Sequence, residues 1–308
     1  VVALSERVVR VRAPNPSPMT LTGTNTYIVR TSNEAALVID PGPLIEKHVE
    51  AIIAAAGEMG AKIRTILVTH GHPDHAPAAA PLSKRTGAPV WAHAYAKFPT
   101  DRTLEDRERL EFDDATIDVV DAPGHAIDHL VFALAQERTL FTGDVVLGTG
   151  TTVVAPPSGA MRPYQRTLDR LLAEHGDAAA IYGGHGERID DPKAKLLDYI
   201  EHRKMRERQL IGELQKGPAT IPSLVERVYA DVDQRLWPAA ARQILAYLIA
   251  LEEENRVVPR IVPRPPSAEE AAILEPNPER IANPEAAAVA RAELGISVEL
   301  PLVEYRVA

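Results

Sequence analysis

The chain has 308 residues, with 34 Lys and Arg against 43 Asp and Glu, a formal net charge of -9 and 45% hydrophobic residues. That balance fits a globular protein with a proper core and argues against one that coats nucleic acid through its overall field. Cysteine is absent, which excludes disulfides, thiolate nucleophiles and Cys-ligated metal and leaves His, Asp and Glu to hold any cation.

"SERVVRVRAP" and "TNTYIVR" (Thr24 to Arg30) are rich in β-branched residues and predict strands. "EAALVIDPGP" is a third strand, stopped by Asp40-Pro41-Gly42-Pro43. A helix runs from Ile45 to Met59, with Gly60 at its end. "TILVT", from Thr65, is short and apolar enough for a strand buried on both faces. It runs directly into "HGHPDH". A helix to about Arg85 closed by Gly87, and the strand "PVWAHA", follow. Short strands then come near Leu110 to Phe112, at Thr116 to Pro123, in "HLVFALA" and in "TLFTGD". "PYQRTLDRLLAEHG" predicts a helix with Pro163 in its first turn, and "AAAIYGGHG" a last strand breaking into glycines. Strands and helices thus alternate twice, which predicts two sheets face to face with helices outside.

After Asp191-Pro192 the pattern changes. Leu196, Leu197, Ile200, Leu210, Ile211 and Leu214 recur on one face of a long helix. "TIPSLVERVYA" and "PAAARQILAYLIALEEENR" predict two more helices and "RVVPRIVP" a strand, the order of a winged-helix module. From Leu197 to Arg260 there are ten acidic and ten basic residues, whereas a DNA-reading module is expected to be basic. The run Arg203, Lys204, Arg206 and Arg208, interleaved with Glu201 and Glu207, is read as a solvated helix face with ion pairs. The module is expected to cover a cleft or form dimer contacts. The boundaries so drawn are 1–190, 191–262 and a proline-rich extension, 263–308. Within that extension Asn283 and Pro284 open a short helix ended by Gly295, and "ISVELPLVEYRVA" is strand-like. No 18-residue apolar run and no apolar signal core occurs, so the expectation is a cytoplasmic protein with no membrane association.

The chemistry concentrates in His70-x-His72-x-Asp74-His75. On a loop leaving a strand, alternate residues turn toward one point and the next toward a second nearby, which suits two cations: His70 and His72 for one, Asp74 and His75 for the other. Three further metal-capable residues follow strand ends beside glycines: His125 in "DAPGHAIDH", Asp144 in "LFTGDVV" and His185 in "IYGGHGE". Glycine there allows the backbone to come close. Asp40 is a candidate to accept from the far nitrogen of a ligand histidine, with capping of the turn before Pro41 as the alternative. His129, four after His125, is a second outer candidate, against the alternative of a packed structural histidine. His93 follows a strand and could lie near the site. His48, His175 and His202 fall on predicted helices and are expected to face solvent. "TGTNT" (Thr22 to Thr26) and "GTGTT" (Gly148 to Thr152) are hydroxyl-rich loops that suit either substrate phosphate or tight turns.

This order of motifs resembles the metallo-β-lactamase superfamily across Val8 to Arg188. The resemblance implies an αββα sandwich, class α/β, followed by the small winged-helix-like domain. It implies that His70, His72 and His125 bind one zinc, that Asp74, His75 and His185 bind another, and that Asp144 bridges them. A hydroxide shared by the two Zn2+ ions (Mn2+ or Fe2+ as alternatives) would attack the substrate, with Asp74 orienting it and passing on a proton. "NPSPMTLTGTNTYIV", "LFTGDVVLGTGTT" and "YIEHRKMRERQLIGEL" further resemble the β-lactamase-like protein 2 family, whose best-known eukaryotic member is an endoribonuclease selective for single strands. Gly71 and Pro73 stand where those relatives use bulkier or basic residues. The implied activity is cleavage of phosphodiesters in single-stranded RNA; the alternative is a thioesterase of the glyoxalase II kind acting on a small-molecule substrate, with weak β-lactam hydrolysis third. A homodimer is possible.

Overall fold

The computed structural model describes residues 1–274 and 302–308. A first sheet of seven strands runs in chain order: β1 (Val2–Ala3), β2 (Val8–Arg12), β3 (Asn25–Arg30), β4 (Ala35–Ile39), β5 (Lys62–Leu67), β6 (Val90–His93) and β7 (Arg102–Leu104). Its first four strands are antiparallel, and β4 to β7 are parallel. Parallel neighbours need crossovers: α1 (Glu46–Glu58) and α2 (Ala79–Thr86) supply those into β5 and β6, and the loop over residues 94–101 the one into β7. Gly87, at φ 74°, ends α2 with its N–H on the Ser83 carbonyl, the left-handed stop that glycine adopts without a Cβ clash. The two-residue β1 and the three-residue β7 are too short to carry a periodicity signal in the sequence.

The second sheet holds β8 (Arg109–Glu111), β9 (Thr116–Asp121), β10 (Leu130–Leu134), β11 (Thr139–Gly143) and β12 (Ala180–Gly183), in the order β12-β11-β10-β9-β8. Helix α3 (Met161–His175) crosses from β11 to its parallel partner β12. The two sheets meet through Val8, Val29, Leu37, Ile39 and Leu67 on one side and Ile117, Val119, Leu130, Phe132 and Phe141 on the other, all buried. Helices α1 and α2 cover the first sheet's outer face with Val49, Ile52 and Leu82. The αββα sandwich expected from the sequence is present.

The outer face of the second sheet is covered differently. Val131, Leu140 and Ile181 share one continuous core with Leu168 of α3 and with a C-terminal module. That module comprises α4 (Pro192–Gln215), β13 (Ala219–Thr220), α5 (Ile221–Val228), α6 (Trp237–Glu253), β14 (Val257–Ile261), α7 (Ala268–Leu274) and β15 (Val303–Val307). Asp191 caps α4 by accepting from Ala194 N–H, and Pro192 occupies its first turn. Of the stretch set apart in the sequence as an extension, Ala268–Leu274 and Val303–Val307 belong to this module. β15 is the central strand of its sheet, pairing with β13 on one side and β14 on the other. The physical reason is that β13 and β14 pair with no strand but β15, so without it neither backbone ladder would be satisfied. The helix expected at Asn283 to Gly295 lies outside the described residues. Among the described residues no helix is long and apolar enough to cross a membrane.

Candidate metal centre

Each candidate ligand follows the end of a strand, and the two sheets bring those ends together. The His70–His75 loop leaves β5, His125 lies in the turn after β9, Asp144 follows β11 and His185 follows β12. Two glycines make the approach possible. A Cβ on Gly184 would stand 2.3 Å from Asp144 Oδ1, and one on Gly143, at φ 46°, 2.5 Å from Thr69 Oγ1. Neither position has room for a side chain.

The seven side chains form two triads around one carboxylate. His72 Nδ1 lies 3.0 Å from His70 Nε2 and 2.9 Å from His125 Nε2. Asp74 Oδ2 lies 3.3 Å from His75 Nε2 and 3.2 Å from His185 Nε2. Asp144 faces both groups: its Oδ1 is 3.4 Å from His75 Nε2, and its Oδ2 is 3.3 Å from His185 Nε2 and 3.8 Å from His125 Nε2. These contacts group as His70–His72–His125, Asp74–His75–His185 and His70–His75–Asp144.

The donor set fits divalent cations. Asp74 Oδ1, His75 Nε2 and Asp144 Oδ1 are buried and have no hydrogen-bond partner among the described residues, an arrangement that costs free energy unless something cationic satisfies it. Electrostatics divides the triads. Burial, with neighbouring imidazoles adding to it, holds His70 well below its usual value and pushes His72 down to about 3; burial also lowers His125. These three are neutral with free lone pairs. Burial opposes charge on His75 and His185 too, but the carboxylates around them prevail, raising His75 well above its usual value and His185 to about 10. Despite their burial, Asp74 and Asp144 are held well below the ordinary carboxylate range by those two imidazoles.

Outer partners fix the orientations. Asp40, in the left-handed region at φ 51°, places Oδ2 2.8 Å from His75 Nδ1, and its carboxylate also accepts from Thr69 N–H and Thr69 Oγ1. His129 stacks on His70 with ring centroids 4.5 Å apart, and its Nε2 accepts from the Asp144 backbone N–H at 3.1 Å. Both outer candidates therefore touch the cluster. The sequence did not indicate Thr24, whose hydroxyl donates to Asp74 Oδ2 at 2.6 Å while accepting from Asn15 Nδ2. Its loop "TGTNT" was visible only as hydroxyl-rich.

Other histidines lie elsewhere. His93 approaches Asp121 at 3.6 Å, apart from the seven. His175 and His202 are half-buried, not solvent-facing, and His48 is fully buried. Thr26 Oγ1 donates to the Asp40 carbonyl and so accepts from His48 Nε2–H at 2.8 Å. Burial lowers His48 to about 4. Arg203, read as part of a solvated face, is completely buried.

A cavity of about 290 Å³ opens onto His72, His125, Asp144 and His185. Its other walls include Pro18, Met19, Leu21, Leu147, Val153 and, from the C-terminal module, Leu236. No lysine or arginine lines it among the described residues.

Residues 19–185 match the metallo-beta-lactamase superfamily, and residues 220–260 match the beta-lactamase associated winged helix domain. A Beta-lactamase-like protein 2 homolog of Drosophila melanogaster is 33% identical over 281 residues, covering 83% of this chain and 91% of the relative. An atrochrysone carboxyl ACP thioesterase of Aspergillus fumigatus is 33% identical over 261 residues, covering 79% and 81%. A crystal structure of a metallo-beta-lactamase family protein from Thermus thermophilus superposes with a TM-score of 0.71 at 24% identity, covering 84% of this chain and 97% of that one, a likeness of fold.

Proposed function

The chain belongs to the metallo-beta-lactamase superfamily of hydrolases, and from that premise we propose that it is a dinuclear metal-dependent hydrolase of acyl esters or thioesters with an apolar acyl part. The observation that carries the dinuclear reading is Asp144, whose two oxygens lie within hydrogen-bonding or near-contact range of both triads, 3.3 to 3.8 Å from their nitrogens. His70, His72 and His125 would hold one cation, and Asp74, His75 and His185 the other, with Asp144 between them. Imidazole and carboxylate donors without thiolate suit Zn2+, and Mn2+ or Fe2+ as well. Bound there, such ions supply a water that ionises near neutral pH and a Lewis acid for the substrate oxygen.

The chain's own groups do the rest. Thr24, His75 and His185 engage Asp74 Oδ2, which fixes the carboxylate so that it can orient the attacking water and relay its proton. That proton then goes to the leaving alkoxide or thiolate as the acyl C–O or C–S bond breaks. Asp40 keeps His75 in the tautomer that turns Nε2 inward.

The choice of substrate rests on the cavity lining. RNA carries a negative charge per nucleotide, and single-strand sites grip it with basic grooves and aromatic platforms. The walls here are apolar side chains and threonines without a lysine or arginine. This supports a neutral acyl group ahead of RNA and reverses the order drawn from the sequence. RNA remains the second reading, favoured by the β-lactamase-like protein 2 motifs and the 33% identity with that relative.

Purified protein, its metal counted by elemental analysis, should be assayed with and without chelator on S-lactoylglutathione, a longer-chain acyl thioester, single-stranded RNA and a chromogenic cephalosporin. The expected result is thioester turnover that chelation or Asp74→Ala abolishes. Leu236→Ala should lower kcat/KM for the longer chain by roughly 10-fold. RNA cleavage without thioester turnover would restore the first order, and full activity in metal-free protein would end the dinuclear reading.

A further inference from the structure

Arg203 lies on α4, in the C-terminal module, yet its guanidinium reaches the loop that builds the metal centre. Its Nη2 donates to the Thr152 carbonyl at 2.6 Å. The next carbonyl, that of Val153, holds His125 Nδ1 at 2.8 Å. One turn earlier on the same face of α4, the Tyr199 hydroxyl accepts from Leu147 N–H at 2.9 Å and donates to the Gly150 carbonyl at 3.1 Å. The segment 145–153 is thus pinned from α4 at Leu147, Gly150 and Thr152. That segment begins immediately after Asp144 and ends at the anchor of His125.

The chemistry of Arg203 is unusual for a packing residue. It is fully buried, it pairs with no carboxylate among the described residues, and its Nε and Nη1 make no hydrogen bond there. The guanidinium instead lies over the rings of Tyr164 at 5.1 Å and Tyr199 at 5.9 Å. Tyr247 donates to the Arg203 backbone carbonyl, and Tyr164 to that of Val145. A buried cation compensated by ring faces costs more than an apolar residue of the same volume. What the cation gains here is a fixed carbonyl one residue from a ligand's anchor.

We propose that Arg203 is a positioning residue for the metal centre, acting through Thr152 to set the loop that connects Asp144 to the carbonyl orienting His125. The inference rests on the reading of the seven side chains as cation ligands. It makes the C-terminal module part of the metal site's outer support as well as a wall of the cavity.

Cobalt titration followed by visible absorption tests it, with the full chain throughout. Arg203→Met should weaken uptake of one of the two Co2+ ions by about 10–100-fold, the scale of losing an outer partner, and alter the absorption of that ion. Arg203→Lys should restore part of the loss. Arg206→Met is the control: Arg206 is on the same helix but lies over Tyr229 and donates to the Val228 carbonyl, both inside the module, so it should shift the melting temperature and leave the cobalt titration unchanged. Tyr199→Phe, which keeps the ring beneath Arg203 and removes both loop hydrogen bonds, decides the matter if Arg203→Met does not fold, and should give a weaker form of the same change. Folded Arg203→Met or Tyr199→Phe protein with wild-type cobalt affinities and spectrum would overturn the proposal. Wild-type protein that takes up no cobalt would instead sink the ligand reading on which it rests.

Discussion

The two triads of the centre are built from the same residue types and behave oppositely. His70, His72 and His125 are neutral because they are buried against one another. Asp74, His75 and His185 form a charged knot in which carboxylates and imidazoliums compensate each other. A cation entering the first triad displaces nothing; one entering the second competes with protons that two carboxylates hold in place. The difference teaches that one loop can present two sites of different proton linkage, set by which neighbours the strand ends bring up.

The sharpest way to break the comparison is at the residue the triads share. Asp144→Ala should remove both ions and reduce activity by more than the about 10–100-fold expected for an outer partner, whereas His185→Ala should leave one ion in place; elemental analysis distinguishes the two. Proton release is next. Near pH 7 the second cation's uptake should liberate protons and tighten as pH rises toward the His185 value of about 10, while uptake at the first triad, with His72 at about 3, should be nearly independent of pH. Titration in buffers of different ionisation enthalpy reads this directly. Asp40→Asn should weaken the second ion more than the first, by about 10-fold or more, since its carboxylate touches His75 directly and His70 only through the Thr69 hydroxyl.

The last effect, on stability and not on metal uptake, concerns what stands behind Asp40. His48 is neutral and buried, with its value lowered to about 4 from 6.5. The unfolded chain binds the extra proton below pH 6.5 and the folded chain only near 4, so the neutral ring's stabilisation is present at neutral pH and lost as pH falls through that window. His48→Gln should flatten this acid limb by up to about 3 kcal/mol. Denaturant unfolding at pH 7 and pH 4.5 measures it, and parallel acid limbs would rule it out.

The sandwich and the candidate ligands were legible because their signals are local: alternating apolar runs, then ionisable residues beside glycine at strand ends. Two buried polar residues also had a readable signal. His48 shares a helical stripe with Val49, Ile52, Ala55 and Ala56, and Arg203 shares one with Leu196, Tyr199, Ile200, Leu210 and Leu214. Charge type outweighed position in reading them. Other contacts had no such signal. Thr24 on Asp74 and Leu236 on the cavity join residues far apart in the chain, and only the packed fold brings them together. The place of Val303–Val307 inside the module's sheet is of the same kind: a strand period does not say which edge will accept it.

The core shared by the second sheet and the C-terminal module has a practical consequence. A fragment ending near residue 190 would leave the apolar side of α3 that now packs against α4 and α6 next to water, and exposed apolar surface of that kind drives association. The sandwich's second half and the module should therefore melt in a single calorimetric transition. Grafting either onto another protein would mean transplanting the seam as well.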